Sequence, residues 1–226
     1  MNKIKPIKGL GQNFLIDKNA LKKVIKSADL KPQDIVLEIG PGLGVLTREL
    51  AKKAKKVIAV EKDHRLCELL KEKFKDSEII EIINQDILKT NITGYRLLVT
   101  GYKVVANLPF YITSPVIRKF LESENPPKEM VLMVQKEVAQ RICSQPPKMS
   151  ILAVSVQFYA DPKIISYVSK KSFCPRPKVE AAIIKITPRD RPGLSENKEG
   201  FFRIARAGFS QPRKQLINNL SKELKI

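Results

Sequence analysis

The chain has 226 residues, 43% of them hydrophobic and 29% charged, which excludes a disordered or fibrous polypeptide and allows one substantial core with a small appendage. Lysine and arginine number 42 against 23 acids, a formal net charge of +19. Such an excess attracts polyanions, and nucleic acid is the expected partner rather than a membrane, because no apolar run approaches the ~20 residues of a span. Met1-Asn2-Lys3-Ile4-Lys5-Pro6 leads into no apolar segment, so no signal peptide is expected. Cys67, Cys143 and Cys174 are scattered and odd in number, which fits neither a disulfide framework nor a zinc site and points to a reducing, cytoplasmic setting. The single histidine, His64, lies among charged residues, so no metal site and no histidine base is expected.

Residues 3 to 15 are basic and then glycine-punctuated. Asp17 is placed to cap a helix carrying Leu21, Val24 and Ile25 on one face, and Lys31 to Asp34 form a loop. Ile35 to Ile39 is a short buried-type strand running into Gly40-Pro41-Gly42-Leu43-Gly44 and a helix from Val45 to Ala54. Lys56 to Val60 is the next strand, ending on Glu61, and Arg65 to Phe74 is an amphipathic helix. Glu78 to Asn84 is a third strand, followed by Gln85-Asp86. Lys103 to Ala106 is the fourth and delivers Asn107-Leu108-Pro109-Phe110-Tyr111. Ser114-Pro115 predicts a helix start, a capping hydroxyl followed by proline at the first helical position.

Met130 to Val134 is a fifth strand leading into Lys136 to Arg141, and Ile151 to Tyr159 is helical. Ile164 to Val168 and Ala181 to Ile186 close the sheet as an antiparallel edge pair. This alternation predicts an α/β fold with a mostly parallel, seven-stranded, doubly wound sheet over residues 1–187. Residues 188–226 are expected to form a linker from Pro188 to Gly200 and two short basic helices.

Several strand ends carry chemistry. Gly40-x-Gly42-x-Gly44 sits where a dinucleotide fold places its phosphate loop, but Val45 stands where the third glycine of that fingerprint belongs. Glu61, about 20 positions on, ends the second strand where such folds hold ribose hydroxyls, and Asp86 ends the third in reach of an adenine amine. Each acid alone is an ordinary loop residue. Together they predict a ligand with an adenosine moiety and no pyrophosphate, such as S-adenosylmethionine. Asn107 offers a neutral amide beside aromatic faces, which suits a nucleobase.

Gly11-Gln12-Asn13-Phe14-Leu15, Glu38-Ile39-Gly40-Pro41-Gly42-Leu43-Gly44-Val45-Leu46-Thr47, Asn107-Leu108-Pro109-Phe110 and Phe173-Cys174-Pro175-Arg176-Pro177-Lys178-Val179 occur in that order. With Gln135 to Arg141, they resemble the ribosomal RNA adenine N6-dimethyltransferases, specifically the small-subunit branch, over about residues 5 to 220. The resemblance implies a Rossmann-like methyltransferase that uses S-adenosylmethionine to dimethylate two adjacent adenosines near the 3′ end of small-subunit ribosomal RNA, within an immature small subunit. It implies that Asn13, Leu15, Gly40 and Gly42 contact the cofactor, with Glu61 on its ribose, Asp86 on its adenine and Asn107 at the junction with the target base. Leu108 supplies a carbonyl, Pro109 holds the turn, and Phe110 and Phe173 cover the two faces of the base. Lys170, Lys171, Arg176, Lys178, Arg213 and Lys214 are the expected RNA contacts, and a monomer is expected.

The chain departs from the family in Phe110, where many relatives carry tyrosine, and in Pro212, where a second arginine is usual. It also ends at Ile226, whereas relatives continue through further helices, so either the carboxyl-terminal appendage is abbreviated or the sequence is incomplete. Two rivals remain open: a large-subunit adenine N6-methyltransferase, and a non-catalytic assembly factor that retains the fold.

Overall fold

The computed structural model describes residues 4–91, 101–189, 198–211 and 213–224. Strand β1 (Phe14–Leu15) leads to Asp17, whose carboxylate accepts the N–H groups of Asn19 and Ala20 at 2.7 and 3.1 Å and so starts α1 (Lys18–Ser27). The predicted alternation then follows. β2 (Ile35–Ile39), α2 (Val45–Ala51), β3 (Lys56–Glu61), α3 (His64–Lys73), β4 (Ile80–Asn84) and β5 (Lys103–Asn107) succeed one another. After α4 (Thr113–Leu121) come β6 (Glu129–Gln135), α5 (Lys136–Ile142), α6 (Ile151–Tyr159), β7 (Ala160–Val168), β8 (Phe173–Cys174) and β9 (Ala181–Pro188). Two helices, α7 (Lys198–Phe209) and α8 (Leu216–Leu224), complete the chain.

The main sheet has seven strands in the order β4-β3-β2-β5-β6-β9-β7. β4 through β6 are parallel, while β9 pairs antiparallel with both β6 and β7. All five residues of β2 are buried, as a strand covered on both faces requires. Ile35, Leu37, Ile39, Val104, Ala106 and Leu132 face one core, which is closed by α4 to α6. Val36, Val105, Val131 and Met133 face the other, beneath α1 and α2. β7 is an edge strand with alternating burial, which matches its single covered face.

The order reverses at β2, which has β3 on one side and β5 on the other, so the crevice beyond their carboxyl ends is a topological switch point. Register aligns those ends: Ile39 pairs with both Val60 and Ala106, and Glu61 pairs with Asn84. Gly40, Glu61, Asp86 and Asn107 thereby emerge along one edge.

Several boundaries differ from expectation. α2 stops at Ala51, three residues short, and α3 begins at His64, with Asp63 as its cap. Ser114 is not a cap. A 3₁₀ turn over Phe110–Ile112 feeds straight into α4, where Thr113 donates its hydroxyl to the Phe110 carbonyl at 3.1 Å and Ser114 and Pro115 lie exposed in the first turn. Pro115 is tolerated there because the first four N–H groups of a helix have no internal partner.

Of the expected linker, Pro188 still belongs to β9 and α7 opens at Lys198, while residues 190–197, like Pro212, lie outside the described residues. α7 docks on α6 through aromatic packing, Phe201 stacking on Phe158 at 4.4 Å and Phe202 on Tyr159 at 5.9 Å. No helix among the described residues is long and apolar enough to cross a membrane.

Gly44 initiates α2 in a left-handed conformation (φ +73°), and a Cβ there would lie 2.7 Å from Leu70 and 2.8 Å from Phe74. Both strain and overlap therefore oppose any side chain. Gly44→Ala is expected to lower stability by about 1–3 kcal/mol in urea titration. Gly9→Ala, which meets nothing within 4 Å, should stay within about 0.5 kcal/mol.

Candidate active site

The four strand ends and the segment before β1 enclose a cavity of about 110 Å³. Gly11, Gln12, Asn13, Gly40, Gly42, Glu61, Asp86, Asn107, Leu108, Pro109 and Phe110 all line it. The amino-terminal segment is a strap across the strand ends. β1 pairs with β8, Ser172 donates its hydroxyl to Asp17 Oδ2 at 2.8 Å, and Gln12 Nε2 donates to Asp63 Oδ2 at 2.8 Å. Pro109 wedges between Gly11 and Gly40, within 3.5 and 3.7 Å of the positions a Cβ would take at each.

Asn107 Nδ2 donates to the Asn13 carbonyl at 3.0 Å. That bond commits the nitrogen end of the amide to the protein and leaves Oδ1 as the end available to a ligand. Leu108 is 2% exposed, its N–H held by the Met133 carbonyl at 3.2 Å, and Pro109 opens the 3₁₀ turn that carries Phe110.

Four carboxyls lie at or near the cavity, two with raised and two with lowered pKa. Glu61 is buried, and its two oxygens accept the N–H groups of Asp63 at 2.9 Å and Gly42 at 3.2 Å. Burial raises its pKa, and those N–H groups oppose the rise. Each oxygen keeps a further lone pair for hydroxyl donors. Asp86 is held ionised, its pKa lowered first by a hydrogen bond from Lys62, whose Nζ lies 2.9 Å from Oδ2, while Oδ1 accepts the Leu88 N–H at 3.0 Å. Asp63 is pulled down to about 2, chiefly by Arg65.

Glu38 is the opposite case. It is 1% exposed, lies in a crevice shared with Gly40, Gly42 and Asn107, and is pushed up to about 8 by burial, with Glu61 adding to the rise. The Thr47 hydroxyl and backbone N–H, both donors directed at this carboxyl, pull the other way. Among the described residues, however, neither Glu38 Oε2 nor the Thr47 hydroxyl has a hydrogen-bond partner of acceptable geometry.

The structure thus brings together Asn13, Gly40, Gly42, Glu61, Asp86, Asn107, Leu108, Pro109 and Phe110 as the sequence predicted. Leu15 is buried and lines only the adjoining crevice. Phe173 is not brought into the lining. It is 3% exposed in the core beneath α1 and α2, where Phe110 packs partly against the same cluster. Lys171, Arg176, Lys178, Arg213 and Lys214 are exposed and Lys170 is half-buried. Sequence reasoning missed Glu38, Gln12, Lys62, Asp63 and Tyr111 as individual contributors. A charged residue inside an otherwise apolar strand was the one local signal for Glu38. His64 is exposed, its Nδ1 3.2 Å from Asn84 Oδ1, and no cluster of metal-ligating side chains occurs among the described residues.

An open, mostly parallel sheet with a left-handed glycine turn and acids at the two succeeding strand ends defines a Rossmann-like methyltransferase. The TrmK protein of M. capricolum, solved with S-adenosyl-homocysteine, shares this fold at 12% identity and a TM-score of 0.55, over 93% of this chain and 97% of that one. The family model for ribosomal RNA adenine dimethylase matches residues 3–225, and the chain belongs to that family. A ribosomal RNA small subunit methyltransferase A of Dehalococcoides mccartyi is 48% identical over 227 residues, spanning 99% of this chain and 77% of the relative. One of Bacillus pumilus is 43% identical, over 96% and 77%. A dimethyladenosine transferase from Plasmodium falciparum superposes with a TM-score of 0.78 at 31% identity, covering 92% of this chain and 74% of that one. The 23S rRNA methyltransferase ErmE does so with 0.78 at 28%, covering 93% and 84%.

Glu38 gives the site a pH signature. Below its ordinary value of 4.5 the carboxyl is neutral in both folded and unfolded chains; between 4.5 and about 8 only the unfolded chain ionises it. The folded state therefore loses stability from this group as pH rises through that window. Glu38→Gln is expected to remove the loss, a slope approaching about 1.4 kcal/mol per pH unit. Urea titrations of both proteins from pH 5 to pH 8 measure the difference, and parallel curves would contradict it.

Proposed function

We propose that this chain transfers methyl groups from S-adenosylmethionine to N6 of two adjacent adenosines near the 3′ end of small-subunit ribosomal RNA, acting as a cytoplasmic monomer on an immature small subunit. The single observation that carries the reading is the Asn107 amide, held by its nitrogen at the end of β5 so that its oxygen is free for an incoming base.

The residues present fit the cofactor. Glu38 Oε2 is a buried acceptor without a partner, suited to a cationic group, and at Gly40 (φ +66°) a Cβ would meet only Pro109 at 3.7 Å, which leaves the backbone open to close approach. Glu61 retains lone pairs for a pair of ribose hydroxyls, Asp86 for an adenine amine, and Asn13, Leu15, Gly40 and Gly42 form the wall on the methionine side, Leu15 through its backbone. When bound, S-adenosylmethionine supplies a methyl group on a sulfonium that needs no prior activation.

What needs help is the target nitrogen, whose lone pair is delocalised into the adenine ring. Asn107 Oδ1 and the Leu108 carbonyl each accept one N6 hydrogen, which favours a pyramidal nitrogen and stabilises the positive charge that develops on it. Pro109 keeps the two acceptors in register. Phe110 stacks on the flipped base. Phe173 is buried in the core, and for it to cover the second face of the base, β8 would have to shift. Residues 1–187 form the catalytic unit in this reading. Lys170, Lys171, Arg176 and Lys178 then meet RNA phosphates near the site, while Arg213 and Lys214 extend the contact along the 188–226 appendage.

The equal superposition with a 23S rRNA methyltransferase supports a second reading, methylation of the large subunit. Supplying purified unmethylated small and large subunits in parallel and mapping methylated adenosines by mass spectrometry separates the two. Product on the small subunit alone is expected.

Asn107→Ala is expected to slow methyl transfer at least 10²-fold. The same change removes the bond to Asn13, so S-adenosylhomocysteine affinity by calorimetry should weaken by less than about tenfold, the worth of one neutral hydrogen bond. Transfer within threefold of wild type would exclude the role given to the amide.

A further inference from the structure

Beyond its Asp17 cap, helix α1 carries only positive charge. It contains no acid from Lys18 to Ser27, it opens on a lysine, and Lys18, Lys22 and Lys26 recur every four residues along one stripe. Like charges at that spacing repel, and a cation in the first turn opposes the helix dipole.

The neighbouring helix does not relieve this. A groove of about 590 Å³ between α1 and α2 is rimmed by Lys18, Lys22, Lys26, Arg48, Lys53 and Lys73 over a floor that includes Leu21, Ile25 and Val45. Its one acid, Glu49, is engaged by Lys52 at 2.6 Å. Among the described residues, no ion pair is made by any of the six rim cations. Lys73 donates to the Leu43 carbonyl of the glycine turn at 2.5 Å, and burial, followed by the charge of Arg48, pushes its ammonium below the ordinary value.

At one end the groove meets the crevice beside the cavity. Val45 lines it and also the crevice that holds Gly40, Gly42 and Asn107. At the start of α1, Asp17 accepts the Ser172 hydroxyl, which ties the segment carrying Lys170 and Lys171 to that end of the helix. Converging unpaired cations that repel one another are explained by a polyanion that neutralises them together.

We propose that the α1–α2 groove docks the phosphodiester backbone of the RNA whose adenosines enter the cavity. The assignment rests on the methyltransferase reading and adds a binding surface to it.

Lys22→Gln/Lys26→Gln/Lys53→Gln in the full chain tests it, with a labelled 3′-terminal hairpin of small-subunit ribosomal RNA as probe and affinity measured from 50 to 300 mM KCl. The triple variant is expected to bind at least tenfold more weakly at 50 mM. Its log–log salt slope should be shallower by about 2 to 3, near 0.9 for each phosphate that is no longer neutralised. S-adenosylhomocysteine affinity should be unchanged and the melting temperature unchanged or raised, because repulsion is relieved. The single variant Lys22→Gln should reduce the slope by about one unit. Unchanged RNA affinity and slope would overturn the proposal, as would binding to phosphatidylserine vesicles through these lysines while RNA binding stays intact. A wild-type chain that fails to methylate either subunit but shows the groove-dependent slope removes the activity and leaves the docking surface standing. A methylating chain indifferent to the triple variant does the reverse.

Discussion

One hydrogen bond, from Asn107 Nδ2 to the carbonyl of Asn13, joins residues 94 apart and organises the site. An amide has one donating and one accepting end, and a backbone carbonyl can only be met by the donor. The orientation of Asn107 is therefore set by chemistry. The same bond presses the amino-terminal strap onto the end of β5, where Pro109 fits between Gly11 and Gly40 without room for a side chain to be added comfortably at Gly11. Gln12, carried by that strap, reaches Asp63, which caps α3 and pairs with Arg65. Strap, glycine turn, proline wedge and helix cap thus hold one another, and the cavity is what they leave.

Charge is segregated across this assembly. Inside, Glu38 and Glu61 are buried with no cation beside them, and desolvation lifts both pKa values. Asp63 and Asp86, by contrast, each have a basic partner and are held low. Beyond the cavity the surface turns strongly basic, along α1 and α2 and at Lys170 and Lys171. An interior short of positive charge suits a cationic small ligand, and an exterior rich in it suits a nucleic acid backbone. The net charge of +19 is therefore an average over two regions of opposite character.

Much of the scaffold was legible because it is encoded locally. Each central strand is a short apolar run, most helices show their period, and glycine or an acid at the end of a strand is visible without knowing its neighbours, whereas the two-residue strands β1 and β8 carry no such signal. A parallel sheet then places consecutive strand ends on one edge, so Gly40, Glu61, Asp86 and Asn107 could be grouped before any coordinate was known. Ser114 shows the limit of local rules. A hydroxyl before a proline has the form of a helix cap, but the turn at Phe110–Ile112 had already started the helical path.

By itself, then, the sequence determined the order of elements, the doubly wound class, the glycine turn and the acids at the strand ends, all of which follow from spacing along the chain. Tertiary structure decided which end of the Asn107 amide is free, because its partner lies 94 residues away. It decided that Phe173 is core rather than cavity wall, because β8 pairs with β1 beneath two helices. It also decided which carboxyls are raised and which lowered in pKa, since that depends on burial and on partners that spacing does not reveal. And it gathered lysines from α1, α2 and α3 around one groove, where along the chain they are only scattered basic residues.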